Sequence, residues 1–370
     1  MAVHDDGGYA RGVLKPGQVF SIDPQLRVPE ERLYYRYEDV IAITADGYEN
    51  FTAFLQTELD EIEKLVGSGG VLQQRPPLGD DQHGPGPSPV TAPPASLGLD
   101  PFYTKYVSAH GLPVVGSAKV SDAALREAAF LVDQMLSHRP EIREAMKKSK
   151  MRVAVMAYSE RTTDLPEHRN LKPKAYWDWR ARGLGASRET PVVSCGEENM
   201  LGYRGDPYST ENILIHEFGH GIDGVGLRAV DPTFRTRLRK SFADAMKKGL
   251  WRGTYAASNP AEYWAEAVQS WFDTNRQNDS QHNHVDTREE LKQYDPEVAK
   301  LCAEVFGDDP WRYVRPHQRK DKAHLAGYDP AHAPVFQWEP ELLDARTKHY
   351  EKVKRDSEKA RASGTAKSSN

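Results

Sequence analysis

The sequence predicts an α+β fold for the larger part of the chain, because patterns typical of strands come before most of the patterns typical of helices. Alternating and β-branched apolar residues predict strands at 151–157 and 191–195. Apolar residues spaced three and four apart predict helices at 122–137, 209–222, 231–248, 259–273, 287–293 and 295–306. This order of elements favours α+β over a doubly wound parallel sheet.

The composition of the 370 residues excludes several classes of protein. Asp plus Glu number 54 and Lys plus Arg number 49, so the net charge of −5 does not predict a nucleic-acid partner. No run approaches the ~20 apolar residues that a membrane span requires. Residues 1–30 contain no apolar segment typical of a signal peptide. We therefore expect no membrane partner and a cytoplasmic location, with secretion as the alternative if the start is truncated.

Four segments of the chain differ in composition. Residues 1–66 carry short strand and turn patterns, followed by a helical periodicity at 49–66. Residues 67–98 are rich in Pro and Gly and predict a flexible linker. Residues 99–345 contain the strands and helices of the larger domain. Residues 346–370 have a surplus of Lys and Arg and predict a solvated helix that frays into a disordered tail.

The residues suited to chemistry lie at 209–223, where His216, Glu217 and His220 form an HExxH motif. Positions four apart lie on one face of a helix, so two imidazoles can reach one metal ion. Glu217 projects beside them and can take a proton from metal-bound water. Ser209 is the predicted N-cap of this helix. A surface helix with polar residues is the alternative interpretation of the motif alone.

A third ligand is predicted on the helix at 259–273. Asn259 suits its N-cap and Pro260 its first turn, so Glu262 and Glu266 lie one turn apart on one face. A carboxylate on an apolar helix needs a cation or a donor, and a metal ion would supply this for Glu262. Glu266 could accept the free ring N–H of a ligand histidine. The alternative is that both glutamates face solvent.

The sequence HEFGHGID followed by YAASNPAEYWAEAVQSWF resembles the gluzincin zinc peptidases that include the catalytic domain of anthrax lethal factor. The resemblance is strongest over 209–273 and extends in outline over 100–345. It implies a zincin-like metallopeptidase domain with a mainly helical C-terminal half. It also implies that one zinc ion is bound by His216, His220 and Glu262.

The same resemblance implies a zinc-dependent peptidase that acts on a peptide or protein substrate, with Glu217 as the general base. Tyr255 falls where the family has a tyrosine next to the metal-bound water; a loop aromatic is the alternative. The segment 190–201 is the candidate edge strand for extended substrate, with a plain core strand as the alternative. A catalytically inactive zincin-like binding domain is a second interpretation of the whole. Nothing in the sequence predicts an oligomeric state.

A second resemblance involves residues 12–52, which are similar to the C-terminal end of Xaa-Pro peptidases of the pita-bread fold. It implies that His4 is a substrate-side histidine and that Asp23 and Glu38 match two carboxylate ligands of a two-metal site. The other ligands of that site would precede His4. We therefore interpret residues 1–66 as a small, truncated α/β remnant, and a fragment of an Xaa-Pro metallopeptidase is a further alternative for the function.

Other residues of suitable type are not predicted to form sites. His282 and His284 lie in a polar stretch and are interpreted as solvated loop residues. Cys195 and Cys302 are the two cysteines of the chain and cannot form a disulfide framework or a thiolate zinc site. Cys195 is interpreted as a small buried residue.

Overall fold

The computed structural model describes residues 88–320 and 322–362, together with five short strands between residues 19 and 50. The chain divides into two compact units, Met1–Pro77 and Leu78–Asn370. In the first unit the strands are β1 (Val19–Ile22), β2 (Gln25–Val28), β3 (Leu33–Arg36), β4 (Asp39–Ile43) and β5 (Tyr48–Asn50). Strand β4 pairs antiparallel with β1 and β5, and β2 pairs antiparallel with β3.

Several predictions for the first unit fall on residues that the structure does not describe. His4, Asp23 and Glu38 lie outside the described residues, as does the predicted helix after Asn50. The predicted linker is described from Ser88 onward. There Arg126 Nε donates to the Ser88 carbonyl at 2.9 Å, so this end of the predicted linker is held within the second unit.

The second unit contains a mixed five-stranded sheet. Its strands are β6 (Lys105–Ala109), β7 (Leu112–Gly116), β8 (Arg152–Met156), β9 (Gly183–Leu184) and β10 (Val192–Gly196), in the spatial order β6-β7-β8-β10-β9. Strands β7, β8 and β10 are parallel, and β6 and β9 are antiparallel edges. The predicted strands at 151–157 and 191–195 are confirmed as β8 and β10.

The edge-strand interpretation of residues 190–201 is wrong. Strand β10 lies between β8 and β9, and all five of its residues are buried. The sheet therefore continues past β10, because Gly183 and Leu184 add a short antiparallel strand to it. The edge next to the HExxH motif is β9.

Eleven α-helices lie within the described ranges of the second unit. They are α1 (Asp122–Met135), α2 (Pro140–Lys148), α3 (Lys174–Arg180), α4 (Glu197–Leu201), α5 (Ile213–Gly221), α6 (Arg228–Val230), α7 (Phe234–Lys247), α8 (Pro260–Trp271), α9 (Arg288–Tyr294), α10 (Pro296–Phe306) and α11 (Pro340–Ala362). The six predicted helices are confirmed as α1, α5, α7, α8, α9 and α10. The fold of this unit is thus mixed α and β.

Two helix boundaries differ from the sequence-based prediction. The helix with the HExxH motif begins after Asn212 rather than Ser209, and beyond Gly221 it continues as a π-helical segment, Ile222–Leu227. The charged helix predicted from Arg346 onward begins earlier, at Pro340. None of the described helices combines the length and the apolarity needed to cross a bilayer.

Helices α5 and α8 pack closely in the core of the second unit. Trp264 of α8 is fully buried, and its indole Nε1 donates to the Gly219 carbonyl of α5 at 3.0 Å. Gly219 faces Val268 of α8, and a Cβ atom there would lie 3.4 Å from Val268, an ordinary van der Waals distance. The Trp264 ring also stacks on Phe306 of α10, with 5.8 Å between ring centroids. This packing brings the start of α8 to the HExxH motif.

Candidate metal centre

Helix α5 carries the HExxH motif and is fixed at its N-terminus by two asparagines. The Asn212 side chain caps it by accepting from the Ile215 N–H at 3.0 Å, and Asn199 Oδ1 accepts from the Ile213 N–H at 2.7 Å. Its apolar residues Leu214, Ile215 and Phe218 are fully buried. The remaining face of the helix therefore turns the two motif histidines to one side.

Glu262 of α8 reaches both histidines. Its Oε2 lies 3.2 Å from His216 Nε2 and 3.3 Å from His220 Nε2. The two imidazole Nε2 atoms are 3.2 Å apart. Among the described residues, these three side chains form a group of possible metal-ligand atoms, and the group combines two nitrogens with one carboxylate oxygen. The structure thus contains a possible metal site.

The spacing of the three ligand atoms suits a small tetrahedral ion. Zinc binds imidazole nitrogen and carboxylate oxygen at about 2.0–2.2 Å, so ligand atoms at tetrahedral angles are separated by about 3.3 Å. The three observed separations, 3.2, 3.2 and 3.3 Å, lie close to this value. The residues present therefore fit a zinc ion with three protein ligands.

Electrostatics around His216 favour positive charge at the centre of this group. Burial alone would lower the pKa of His216, but the hydrogen bond to Glu262 and the nearby Glu217 and Glu266 outweigh it and raise the pKa to about 10. For Glu262, burial opposes ionisation, yet contact with His216 and His220 holds its pKa well below the usual range. A surplus of carboxylates around two imidazoles is the charge pattern that a bound divalent cation balances.

The residue that holds the ring of His216 is Gln269, which the sequence analysis missed. Gln269 Oε1 lies 2.8 Å from His216 Nδ1, whereas Glu266 Oε1 is 3.6 Å away. Gln269 is fixed in turn, since its Nε2 donates to Glu211 Oε2 at 3.0 Å. An amide oxygen at Nδ1 requires the proton there and leaves the Nε2 lone pair free for a metal.

Glu266 is buried in a polar cluster next to His216. His282 Nε2 lies 3.3 Å from Glu266 Oε2, and Asn275 Nδ2 donates to the same oxygen at 3.2 Å. His282 Nδ1 lies 2.9 Å from Asp279 Oδ1. The interpretation of His282 as a solvated loop residue is therefore wrong, because its side chain is buried against Glu266.

The other two predicted site residues lie beside the metal group. Glu217 is half-buried, and burial raises its pKa despite the two neighbouring histidines. The Tyr255 ring lies nearly parallel to that of His216, with 6.4 Å between centroids. Burial and then the nearby Glu262 raise the pKa of the Tyr255 phenol, so it is a proton donor at neutral pH.

Edge strand β9 lies directly against helix α5 because its glycines have no side chains. A Cβ atom at Gly183 would lie 2.4 Å from Ile213 Cγ2 and 3.1 Å from Glu217 Cγ. A Cβ atom at Gly185 would lie 2.6 Å from His220 Cβ. These contacts leave no room for larger residues, and they set the sheet edge beside the general-base candidate.

A cleft crosses this centre and widens on either side into cavities of about 440 and 490 Å³. Six residues line both cavities: Arg180, Ala181, Gly183, His216, Glu217 and Tyr255. The first cavity extends towards Tyr208 and Arg276, and the second towards Asp223 and Arg235. A chain-like substrate could therefore pass Glu217 and continue on both sides.

Part of the chain is similar to curated Xaa-Pro aminopeptidases. Xaa-Pro aminopeptidase 2 of Streptomyces coelicolor is 39% identical over 64 residues, which cover 15% of this chain and 14% of that protein. Xaa-Pro aminopeptidase 1 of the same organism is 38% identical over 80 residues, covering 18% of this chain and 16% of that protein. The chain thus spans about one sixth of the length of these relatives, or less.

No family model matches the chain, and no solved structure matches it. The partial similarity supports the resemblance to Xaa-Pro peptidases that the sequence predicts. The resemblance to gluzincins has no counterpart among these matches and depends on the motif and the geometry described above.

Proposed function

We propose that the second unit is a zinc-dependent peptidase of the gluzincin type, with a zincin-like domain at residues 99–345. The observation that carries the proposal is the triangle of His216 Nε2, His220 Nε2 and Glu262 Oε2, with sides of 3.2, 3.2 and 3.3 Å. Three protein ligands are the number that catalytic zinc sites use, with a fourth position for water or substrate.

The residues around the triangle have the chemistry that peptide hydrolysis needs. A zinc ion bound there supplies Lewis acidity, which activates water at neutral pH and polarises a carbonyl group. Glu217 accepts the proton of the attacking water at its carboxylate and returns it to the leaving amine. Tyr255 donates its phenol proton in a hydrogen bond to the substrate carbonyl oxygen as negative charge develops.

Substrate orientation follows from strand β9. Among the described strands it pairs with β10 on one side only, and both of its residues line a cavity beside Glu217. An extended peptide that pairs with this edge crosses the metal centre. Gln269 keeps the His216 ring fixed in this arrangement through the 2.8 Å contact at Nδ1.

The decisive experiment combines metal analysis with a Glu217→Gln variant. We expect about one zinc per chain in both the wild type and the variant, because Glu217 does not contribute a ligand atom to the triangle. Peptidase activity should fall by about 10²–10⁴-fold in the variant, the usual contribution of a general base. Unchanged activity in Glu217→Gln would contradict the mechanism, and loss of its zinc would show that Glu217 is a ligand.

A second candidate function is favoured by the similarity to Xaa-Pro aminopeptidases, which supports a fragment of such an enzyme within the chain. Hydrolysis of an Xaa-Pro dipeptide by a His216→Ala/His220→Ala double variant would support it. Loss of all activity in that double variant would assign any hydrolysis to the metal centre of the second unit.

A further inference from the structure

The cavity of about 440 Å³ on the Tyr208 side of the metal centre is lined by four arginines, and not all of them form ion pairs. We call it the arginine chamber, after Arg180, Arg182, Arg276 and Arg346 in its wall. Arg180 ends helix α3, and Arg346 lies on helix α11. The chamber is continuous with Glu217 and His216, which also line it.

Two of these arginines are already paired. Arg182 is fully buried and forms an ion pair with Glu198 at 2.6 Å. Arg276 forms ion pairs with Asp279 at 2.6 Å and with Glu211 at 3.5 Å. These two guanidinium groups therefore stabilise the fold of the chamber wall and have little capacity left for a ligand.

Two of the three carboxylates that line the chamber are also engaged with neighbours, and the third is Glu217, the general-base candidate. Glu211 accepts from Gln269 Nε2 at 3.0 Å, besides its contact with Arg276. Glu266 accepts from Asn275 at 3.2 Å and lies 3.3 Å from His282 Nε2. Neither acid forms an ion pair with Arg180 or Arg346 within the part of the chain that the structure describes.

Arg180 and Arg346 also line the cavity, and neither forms an ion pair among the described residues. No described acid lies within ion-pair distance of Arg180, whose side chain interacts with the Tyr255 hydroxyl and whose charge lies near the Glu217 carboxylate. Arg346 is exposed and has no described carboxylate within ion-pair distance, whereas its neighbours Lys348 and Arg355 pair with acids of their own helix. A guanidinium group matches a carboxylate with two parallel hydrogen bonds.

The helix that carries Arg346 is held on the chamber by aromatic contacts. The ring of Trp179 on α3 lies 5.4 Å from that of His349 and 5.7 Å from that of Tyr350, centroid to centroid. Trp179 is buried in this contact. Arg180 and Arg346 therefore lie on two helices that pack together, which limits how far the two charges can separate.

We propose that the arginine chamber binds a carboxylate of the peptide substrate and makes the enzyme selective for acidic peptides. This inference rests on the proposed peptidase function and adds the substrate class to it. The carboxylate has two sources, the side chain of an acidic residue near the scissile bond or the C-terminus of a short peptide. Both present the same planar group to Arg180 and Arg346.

The test compares matched peptides with the zinc-loaded protein. One pair differs by Glu against Gln at each position within four residues of the scissile bond, and a second pair differs by a free C-terminus against an amide. In at least one pair, we expect kcat/KM to be about ten-fold higher for the peptide that carries the carboxylate, as for a charged hydrogen bond. The first pair reports a side-chain carboxylate and the second a terminal one.

Charge reversal at Arg346 separates the chamber from general charge effects. Arg346→Glu should abolish or invert the preference, while Lys352→Glu, the same charge change at an exposed position of α11 outside the chamber, should retain it. Arg346→Gln should reduce the preference without inverting it. Thermal melting of each variant checks that the fold is intact.

Binding to the zinc-loaded Glu217→Gln variant distinguishes the two proposals. Peptide cleavage by the wild type with no preference for a carboxylate would overturn the chamber and leave the peptidase function standing. Carboxylate-dependent binding, measured by fluorescence anisotropy, without cleavage by the wild type would support the chamber and contradict the peptidase function. Absence of both binding and cleavage would contradict both.

Discussion

Helices α5 and α8 both supply the metal group, but they differ in what fixes their contribution. On α5 the two histidines are four residues apart, so helical geometry places them on one face, where their Nε2 atoms lie 3.2 Å apart. On α8 the carboxylate of Glu262 comes from a position 46 residues after His216, and the packing of α8 in the core, including the Trp264 hydrogen bond to the Gly219 carbonyl, brings it there.

This difference shows which part of the site is local and which is tertiary. The two histidines should share one face whenever α5 forms, but the ring of His216 also depends on Gln269 of α8. The α8 half depends on the core and should be more sensitive to changes away from the metal.

Removing the carboxylate of α8 should have the largest effect. Glu262→Ala leaves two imidazoles and no third ligand, so we expect zinc to be lost on dialysis and activity to fall by about 10³-fold or more. Zinc content by mass spectrometry and peptide turnover are the measurements. Glu297→Ala is the matched control, since Glu297 lies in the first turn of α10, which also begins with proline. A zinc-loaded Glu262→Ala variant would contradict the assignment.

Replacing Gln269 should weaken the metal site without removing a ligand. Gln269→Leu takes away the acceptor 2.8 Å from His216 Nδ1, and loss of such a partner typically costs 10–100-fold in metal affinity. Gln269→Glu retains an acceptor and should bind zinc more tightly than Gln269→Leu. Competition with a chromophoric chelator measures both. If Glu266→Gln weakens zinc binding more than Gln269→Leu does, the more distant Glu266 is the true partner of His216.

A pair of glycine variants tests the packing on either side of α5. Gly183→Ala should reduce the free energy of unfolding by about 1–3 kcal/mol, because its Cβ would lie 2.4 Å from Ile213 and 2.9 Å from the Ser194 carbonyl. Gly219→Ala should have little effect, because its Cβ lies at an ordinary 3.4 Å from Val268. Urea denaturation measures both. Equal losses of stability in the two variants would mean that Val268 of α8 lies closer to Gly219 than the 3.4 Å contact implies.

The cap of α8 should have the smallest effect. Asn259 Oδ1 accepts from the N–H groups of Ala261 and Glu262 at 2.9 and 3.1 Å, and its removal in Asn259→Ala should cost about 1 kcal/mol in stability. Asn259→Asp retains the acceptor and should restore most of this. A loss in Asn259→Asp as large as in Asn259→Ala would contradict the capping role.

The sequence predicts the parts of this site that depend on local geometry. The HExxH spacing and the cap and proline of α8 are short-range patterns, and α5 and α8 form where the patterns predict them. The cap of α5 is predicted three residues too early, since Ser209 and Asn212 are both good caps. The hydrogen bond from the Ile215 N–H to Asn212 Oδ1, seen only in the folded structure, distinguishes the two.

The parts of the site that depend on tertiary packing could not be predicted from the sequence, and the reasons are physical. Gln269 is an ordinary helix residue in the sequence, and its contact with His216 depends on how α8 packs. His282 lies in a polar stretch, yet the fold buries it against Glu266. Strand β9 is two residues long, too short for a periodic signal, so the sequence predicts the edge at β10 instead. All five residues of β10 are buried, which is typical of an interior strand.

Anomalous X-ray diffraction at the zinc absorption edge, from crystals of the full chain, tests directly whether the three side chains bind one metal ion. We expect one strong peak about 2.0–2.2 Å from His216 Nε2, His220 Nε2 and a carboxylate oxygen of Glu262. A metal peak elsewhere, or a zinc ion bound by the two histidines with Glu262 turned away, would contradict this expectation.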